Sequence, residues 1–495
     1  MPFTSLSLIL HLGPINRPRG RTFVSNSSER QRAVRWDRGC ASWVGSSATR
    51  SDARAELAIP TACGRGTGVK ADVRPGITRI PFARTYISEE AREGAARVLE
   101  SGWVTTGPEV RQFEQEFAEF LGVGHAVAVS SCTAAIELAL RALQLPPGAK
   151  VLTSAMTFCG AANSILHGGY RLVLADVNPD TLMPDAETTA AAVRRVGGVD
   201  AMLALHFAGH PAPVAEMADA ASLPLNRVVE DAAHALGASL GGRPVGTLSA
   251  ATCFSFYATK NLPIGEGGML TTDDPSVADY VRQARLHGMS QDAWKRYLPG
   301  SAWRYDVAFP GLKANMTDVQ AAIGRAQLRH FRSWQQRRIE LVARYDERLK
   351  SLSGVVLPTR PRIDKHAWHL YVIRVMPEYG LGRDQFIAEL SERGIDCSVH
   401  FIPLHHQSYL RHLAGDGYVG GFPVADEIFD QIVSLPLYQS LTEEEVDHVC
   451  ATIADIRPIS RDGPAALERS EWRVTAWDGD ANRAGPFAAT EGGQA

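Results

Sequence analysis

Between residues 126 and 256 short apolar, β-branched runs alternate with stretches of helical spacing, and this rhythm narrows the fold more than any other feature of the chain. The strand-like runs fall at 126–129, 151–153, 172–177, 201–206, 227–230 and 251–256, with helical periodicity at 133–143 and from Gly160. Strands joined through a helix run parallel, and such alternation places helices on both faces of the sheet. The spacing therefore predicts βαβ units and an α/β fold with a mainly parallel sheet. Upstream, residues 89–99 and 109–121 have helical spacing, the second with Val110, Phe113, Phe117 and Leu121 on one face. Downstream, residues 333–352 read as a long amphipathic helix with Leu341, Tyr345 and Leu349 as its stripe, followed by strand-like runs at 369–375 and 398–402. The expected division is a large domain over 77–332 and a smaller α+β domain over 333–456, opened by that helix.

Both ends lack this periodicity. Residues 1–76 are rich in Arg, Ser and Gly, with Arg17, Arg19, Arg21, Arg30, Arg32, Arg35 and Arg38 close together and few acids. They read as a transit peptide or as translation from a start upstream of the true one. Their length and lack of an amphipathic helix favour the second, and either way a disordered extension is expected. Residues 457–495 read as a disordered tail. A formal net charge of −3 gives no reason to expect a nucleic-acid or anionic-membrane partner. Seven cysteines without a CxxC pair argue against a zinc site or disulfide framework, so no metal is expected, and they fit a reducing cytoplasm. No apolar run approaches the roughly 20 residues that cross a bilayer.

Two motifs carry chemistry. In VVEDAAHALG, residues 228–237, Asp231 ends a β-branched run, with His234 three positions on. In FSFYATKNLPIGEGG, residues 254–268, Lys260 follows an aromatic strand-like run and precedes a glycine-rich turn. A carboxylate at one strand end and a lysine at the next suit pyridoxal phosphate, the lysine forming a Schiff base and the acid keeping the pyridine nitrogen protonated. Taken singly, Asp231 could cap a turn, His234 could be a satisfied core histidine and Lys260 a surface lysine. The flanking Phe254, Phe256 and Tyr257 argue for a used lysine. Gly265, Gly267 and Gly268 do not match a Walker or Rossmann loop and fit a tight turn or close backbone approach. Ser130, Ser131 and Thr133, between a strand and a helix, form a weak phosphate-cradle signal that also fits a plain N-cap.

The stretches SGWVTTGP from Ser101, AVSSCTAA from Ala128, EDAAHA from Glu230, SFYATKN from Ser255, GLKANMTDVQAAIG from Gly311, HAWHLYVIR from His366 and SLPL from Ser434 occur in one order. With that order the chain resembles the DegT/DnrJ/EryC1/StrS sugar aminotransferases, a fold-type I pyridoxal phosphate group, over residues 80–456. SAMTF, DTLM, LHFAG and HGMSQDAWKRY bring it nearest to members like UDP-4-amino-4-deoxy-L-arabinose aminotransferase. The resemblance implies a seven-stranded-type sheet in the large domain and pyridoxal 5′-phosphate as cofactor. It assigns Lys260 the Schiff base, Asp231 the pyridine nitrogen and His234 the ring's phenolic oxygen, with Phe158 stacking on the ring. Thr133, the Ala134 amide and Ser255 would hold the phosphate. His400, Phe401 and His405 match the segment that relatives place near the sugar, and the loop from Gly288 would lie near the nucleotide-sugar entrance.

Lys313 or Asn315 would reach the cofactor of a partner subunit, making a homodimer with composite sites. Lys313 shows no partner in its own segment, and the helix after it offers an apolar face of Val319, Ile323 and Ala326. Cys132 stands where many relatives have glycine, and Lys313 where others have asparagine. The reaction implied is amino transfer from L-glutamate to a keto nucleotide sugar, 4-keto and UDP- or dTDP-linked, for amino-sugar, glycan or antibiotic biosynthesis. The rivals are a cyclitol or aminobenzoate-type aminotransferase, a sugar dehydratase of the same family (against which Lys260 counts) and a non-catalytic regulator.

Overall fold

The computed structural model describes residues 79–290, 305–360, 364–412 and 421–457, all within one compact unit, Ala71–Ala495. The expectations for 1–76, for the tail beyond Arg457 and for the HGMSQDAWKRY stretch from residue 291 lie outside the described residues.

After α1 (Glu89–Ser101) and α2 (Pro108–Leu121), strands and helices alternate: β1 (His125–Val129), α3 (Cys132–Ala142), β2 (Lys150–Ser154), α4 (Cys159–His167), β3 (Arg171–Ala175), α5 (Ala186–Val196), β4 (Ala201–Leu205), α6 (Val214–Ala220) and β5 (Val228–Asp231). A hairpin of β6 (Ser239–Leu240) and β7 (Arg243–Pro244) precedes β8 (Ala251–Ser255), β9 (Gly268–Thr272) and α7 (Pro275–Ala284). Seven of these strands form one sheet in the order β1-β9-β8-β5-β4-β2-β3. Its pairs are parallel from β3 to β8, and β9 runs antiparallel to both β8 and β1. The expected α/β architecture therefore holds. The β9 strand, GMLTT, was not foreseen, because its signal merges with the glycine turn before it.

Then follow α8 (Asp318–Leu349), β10 (Val355–Val356), β11 (Tyr371–Val375), α9 (Arg383–Glu392), α10 (Ser408–His412), α11 (Pro423–Phe429), β12 (Ile432–Leu435) and α12 (Glu443–Asp455). The order β10-β11-β12 makes a three-stranded antiparallel sheet with its own core, in which Leu341, Tyr345 and Leu349 are buried as expected. Two expectations are corrected. The long helix starts at Asp318 rather than residue 333, opened by a reciprocal capping box between Thr317 and Gln320. It joins in one element the helix expected after Lys313 and the one expected at 333–352, and of the expected early face Val319, Ile323 and Ala326 only Ala326 is buried, the inner face there being small or polar (Ala321, Ala322, Gly324, Ala326, Gln327). Residues 398–402 form no strand and contribute only the bridge between Ser398 and Ser434. No helix among the described residues is long and apolar enough to cross a membrane.

Candidate active site

The carboxyl-terminal ends of the central strands bring the expected residues together, as parallel α/β sheets do with their ligands. Asp231 closes β5, and its Oδ1 accepts the Ala233 N–H at 3.1 Å. The side chain is buried. Burial raises the Asp231 carboxyl above the ordinary range, against the Ala233 N–H and the Lys260 charge, both of which favour the ionised form. A cation facing Oδ2 would reinforce ionisation.

Lys260 sits in the turn after β8, its N–H bonded to the Tyr257 carbonyl at 2.9 Å. Burial lowers its amine to about 8, with the charges of Asp231 and Cys132 opposing. Gly265 takes the left-handed conformation that closes this turn, at φ 98°. His234 is buried, and its Nδ1 accepts the Ala208 N–H at 3.2 Å, so a neutral ring carries its proton on Nε2. Burial, then the charges of Lys260 and His400, hold His234 well below the usual imidazole range.

The segment read as a phosphate cradle forms the start of α3. Ser131 caps α3, its hydroxyl accepting the Ala134 N–H at 3.1 Å. That bond occupies the Ala134 amide assigned to phosphate and leaves the cradle to the Thr133 hydroxyl and the other first-turn amides. Two glycines allow neighbouring segments to approach it closely. A Cβ at Gly268 would meet the Ser131 carbonyl oxygen at 2.6 Å and the Cys132 nitrogen at 2.7 Å, and one at Gly160 would meet Thr133 Oγ1 at 2.8 Å. Ser255, at the end of β8, is paired to Gly268, and its hydroxyl accepts the Tyr257 N–H at 3.3 Å. Cys132 is buried with its thiol 3.9 Å from Asp231 Oδ1 and 3.4 Å from the Cys253 carbonyl oxygen.

Phe158, the N-cap residue of α4, leaves 57% of its surface exposed and packs against Phe401 at 6.3 Å between centroids. Phe401 stacks on His234 at 5.5 Å with 19° between planes. His400 lies 6.3 Å from the His234 ring, and burial, helped by Lys260, takes it down to about 4. Of the expected substrate segment, His400 thus lies within reach of the Lys260 charge and Phe401 lies on His234. His405 instead turns to Asp426, with Nε2 2.7 Å from Oδ1.

Lys313 is exposed and donates to Asn315 Oδ1, while the Asn315 amide donates to Thr106 Oγ1 at 2.6 Å. The expectation that Lys313 lacks a partner in its own segment is corrected by that bond. The Asn315 backbone lies against Val129 at the end of β1, beside the cradle. Two residues at the site were not singled out. Asn261 follows Lys260, and His369, buried just before β11, has its ring 4.4 Å from that of His234. The only sequence signals were the asparagine beside the lysine and the second histidine of HAWHLYVIR.

Residues 85–454 match the DegT/DnrJ/EryC1/StrS aminotransferase family. The chain is 42% identical over 379 residues to the spore coat polysaccharide biosynthesis protein SpsC of Bacillus subtilis, an alignment covering 76% of this chain and 97% of that protein. Among solved structures it resembles the putative sugar aminotransferase Spr1654 from Streptococcus pneumoniae in its PMP form. The TM-score there is 0.69 at 31% identity, over 76% of this chain and 98% of the other. DesV from S. venezuelae, in complex with a ketimine intermediate, gives a TM-score of 0.67 at 31% identity over 76% of this chain and 98% of its own.

Proposed function

From the premise that the chain belongs to the DegT/DnrJ/EryC1/StrS aminotransferase family, and is a pyridoxal phosphate-dependent aminotransferase, we propose that it moves the amino group of L-glutamate onto the carbonyl of a keto nucleotide sugar. The acceptor proposed is a 4-keto sugar linked to UDP or dTDP. The carrying observation is that Asp231 and His234, both buried after β5, and Lys260, in the turn after β8, lie close enough for the lysine charge to act on both, next to the start of α3 that Gly160 and Gly268 approach closely.

When bound, pyridoxal phosphate supplies an aldehyde that captures amines and a ring that accepts electrons. The residues present fit it. The Asp231 carboxylate would hold a protonated ring nitrogen, and the His234 Nε2–H would donate to the phenolic oxygen. Phe158 would cover one ring face, while Thr133, Ser255 and the α3 amides would take the phosphate. Lys260 Nζ would be the amine that holds the group, and as a free amine it would serve as general base for the donor's α-proton. An amine near 8 keeps about a tenth of its population unprotonated at pH 7, far more than an ordinary lysine does, which suits that work. Phe401, stacked on His234, keeps water from the space beside the imidazole. His400, neutral at pH 7, offers the sugar a hydrogen-bonding group without charge.

The active unit we propose is a homodimer in which Lys313 or Asn315 completes the partner's phosphate site. The deciding experiment incubates the protein with ¹⁵N-glutamate and a panel of UDP-, dTDP- and GDP-linked keto sugars, scored by mass spectrometry. A ¹⁵N-labelled amino sugar from at least one nucleotide class, with 2-oxoglutarate released, is expected. Labelled product from a cyclitol ketone and from none of the nucleotide sugars would overturn the acceptor assignment.

A further inference from the structure

His369 is buried in the segment that leads into β11, and its main chain and side chain are fixed from three directions. Its N–H donates to the Ala208 carbonyl at 3.0 Å, beside the N–H that His234 receives. Its own carbonyl accepts from Arg338, a fully buried guanidinium on α8 that also donates to the carbonyls of Trp368 and Leu437. Its ring Nδ1 lies 3.2 Å from Asn261 Oδ1. The Asn261 amide nitrogen donates to the Ala367 carbonyl at 2.7 Å and to Gln335 Oε1 at 3.2 Å. Both bonds need the NH₂ group, so the oxygen must face His369, and an amide oxygen can only accept. His369 Nδ1 therefore carries the proton, and Nε2 of the neutral ring keeps its lone pair.

This approach is possible because of one glycine. Gly209, at φ 99°, would with a Cβ meet the nitrogens of Trp368 and His369 at 2.9 and 3.0 Å and the His234 carbonyl oxygen at 3.0 Å. The chain is thus built so that residues 366–369 lie directly on the His234 turn, and Asn261 ties the residue after Lys260 to that seam.

Resting on the assignment of Lys260 above, we propose that His369 is a positioning residue for the amino-transfer reaction: through Asn261 it locks the turn that carries Lys260 and keeps that amine in its desolvated place. The groups facing Lys260 are Asp231 at the end of β5, Cys132 on α3, His234 after β5, His369 before β11 and His400, while Arg338 faces His369 from α8. Only Asp231 among them is an anion, so freeing the turn toward water changes the Lys260 amine chiefly through hydration, which raises its midpoint toward that of an ordinary lysine.

The test compares wild type with His369→Phe, which keeps a ring of similar size and loses both nitrogens, and with His369→Asn, whose side-chain N–H can replace the Nδ1–H. In the cofactor-free full chain, acylation of the peptide containing Lys260 is followed against pH by mass spectrometry. In the holoenzyme, kcat and KM for glutamate are measured, and the lysine trapped by borohydride is mapped. His369→Phe is expected to raise the labelling midpoint by about half a pH unit or more and to lower kcat by roughly 10- to 100-fold. KM should stay nearly constant, and His369→Asn should restore most of both readouts. General loss of stability would lower the melting temperature without this shift and rescue. An unchanged midpoint and kcat in His369→Phe would overturn the proposal. Should that variant fail to fold, Asn261→Ala cuts the same clamp from its other end and must raise the same midpoint, or the proposal falls. Borohydride trapping at another lysine would overturn the Lys260 assignment, while the labelling midpoint, read without cofactor, would still decide on His369.

Discussion

The chemistry proposed for Lys260 rests on its position. Burial lowers the amine, Asp231 raises it, and the balance near 8 leaves a usable fraction of free base at neutral pH. In the cofactor-free protein the rate of pyridoxal phosphate capture should rise with pH to a plateau above that midpoint, measured by stopped-flow absorbance. A rate that falls with pH would contradict it. Lys260→Ala should lower turnover by at least about 10³-fold, since a positioned base alone contributes roughly 10² to 10⁴. Near-normal turnover would remove Lys260 from the reaction. Asp231→Asn keeps the shape and removes the anion that raises Lys260, so its capture midpoint should move down. The half-reaction with glutamate should slow while cofactor still binds. The lysine and the acid were legible in the sequence because each follows an apolar strand-like run. His369 was not, because its role depends on Gly209 and Asn261 meeting it through space, at a separation of more than a hundred residues from Asn261.

At the scale of elements, the cradle depends on β9 lying close against the start of α3. Gly268→Ala would drive a methyl into the Ser131 carbonyl and Cys132 nitrogen, which cannot swing aside as a flexible side chain can. We expect a cost of about 1–3 kcal/mol, typical of overpacking. Most of it should appear as a cofactor dissociation constant raised about tenfold or more, read by fluorescence titration. Unchanged affinity would mean that the α3 start is not the phosphate site. The parallel strands were legible because each is a compact apolar run between helical periods. β9 was obscured by its leading glycine and two threonines, and the continuity of α8 from Asp318 to Leu349 by an early inner face of Ala and Gly. Gly324 shows why that face is small, since a Cβ there would stand 2.6 Å from the Phe113 ring.

At the scale of the molecule, the fold is tied near its described amino-terminal edge. Ile80 exchanges backbone hydrogen bonds with Gly394 and Asp396, and Arg79 Nε donates to Asp396 Oδ2 at 2.9 Å. A chain shortened to begin at Ile77 keeps these bonds and should retain full activity and melting temperature. One begun beyond Phe82 loses the bridge and should melt lower. Loss of folding in the first would give residues 1–76 a structural role. For the composite dimer, Lys260→Ala chains co-expressed with Lys313→Ala, Asn315→Ala chains should regain part of the activity that each lacks alone. No recovery in a confirmed heterodimer would mean that each site is built from one chain.

The single helix α8 touches nearly every part of this arrangement. Gln327 bonds the Tyr86 and Pro263 carbonyls, Gln335 the Ala367 carbonyl, Arg338 the Trp368 and Leu437 carbonyls, and Tyr345 the Pro436 carbonyl. Eleven positions, close to three full turns, separate Gln327 from Arg338, so both point the same way. The helix is therefore a shaft with fixed graduations. Adding one residue between those two positions would rotate everything beyond it by about 100°, swinging Arg338 and Tyr345 off their carbonyls at once. Lineages of this enzyme should thus tolerate changes of side chain along the shaft's outer face far more readily than any change in its length.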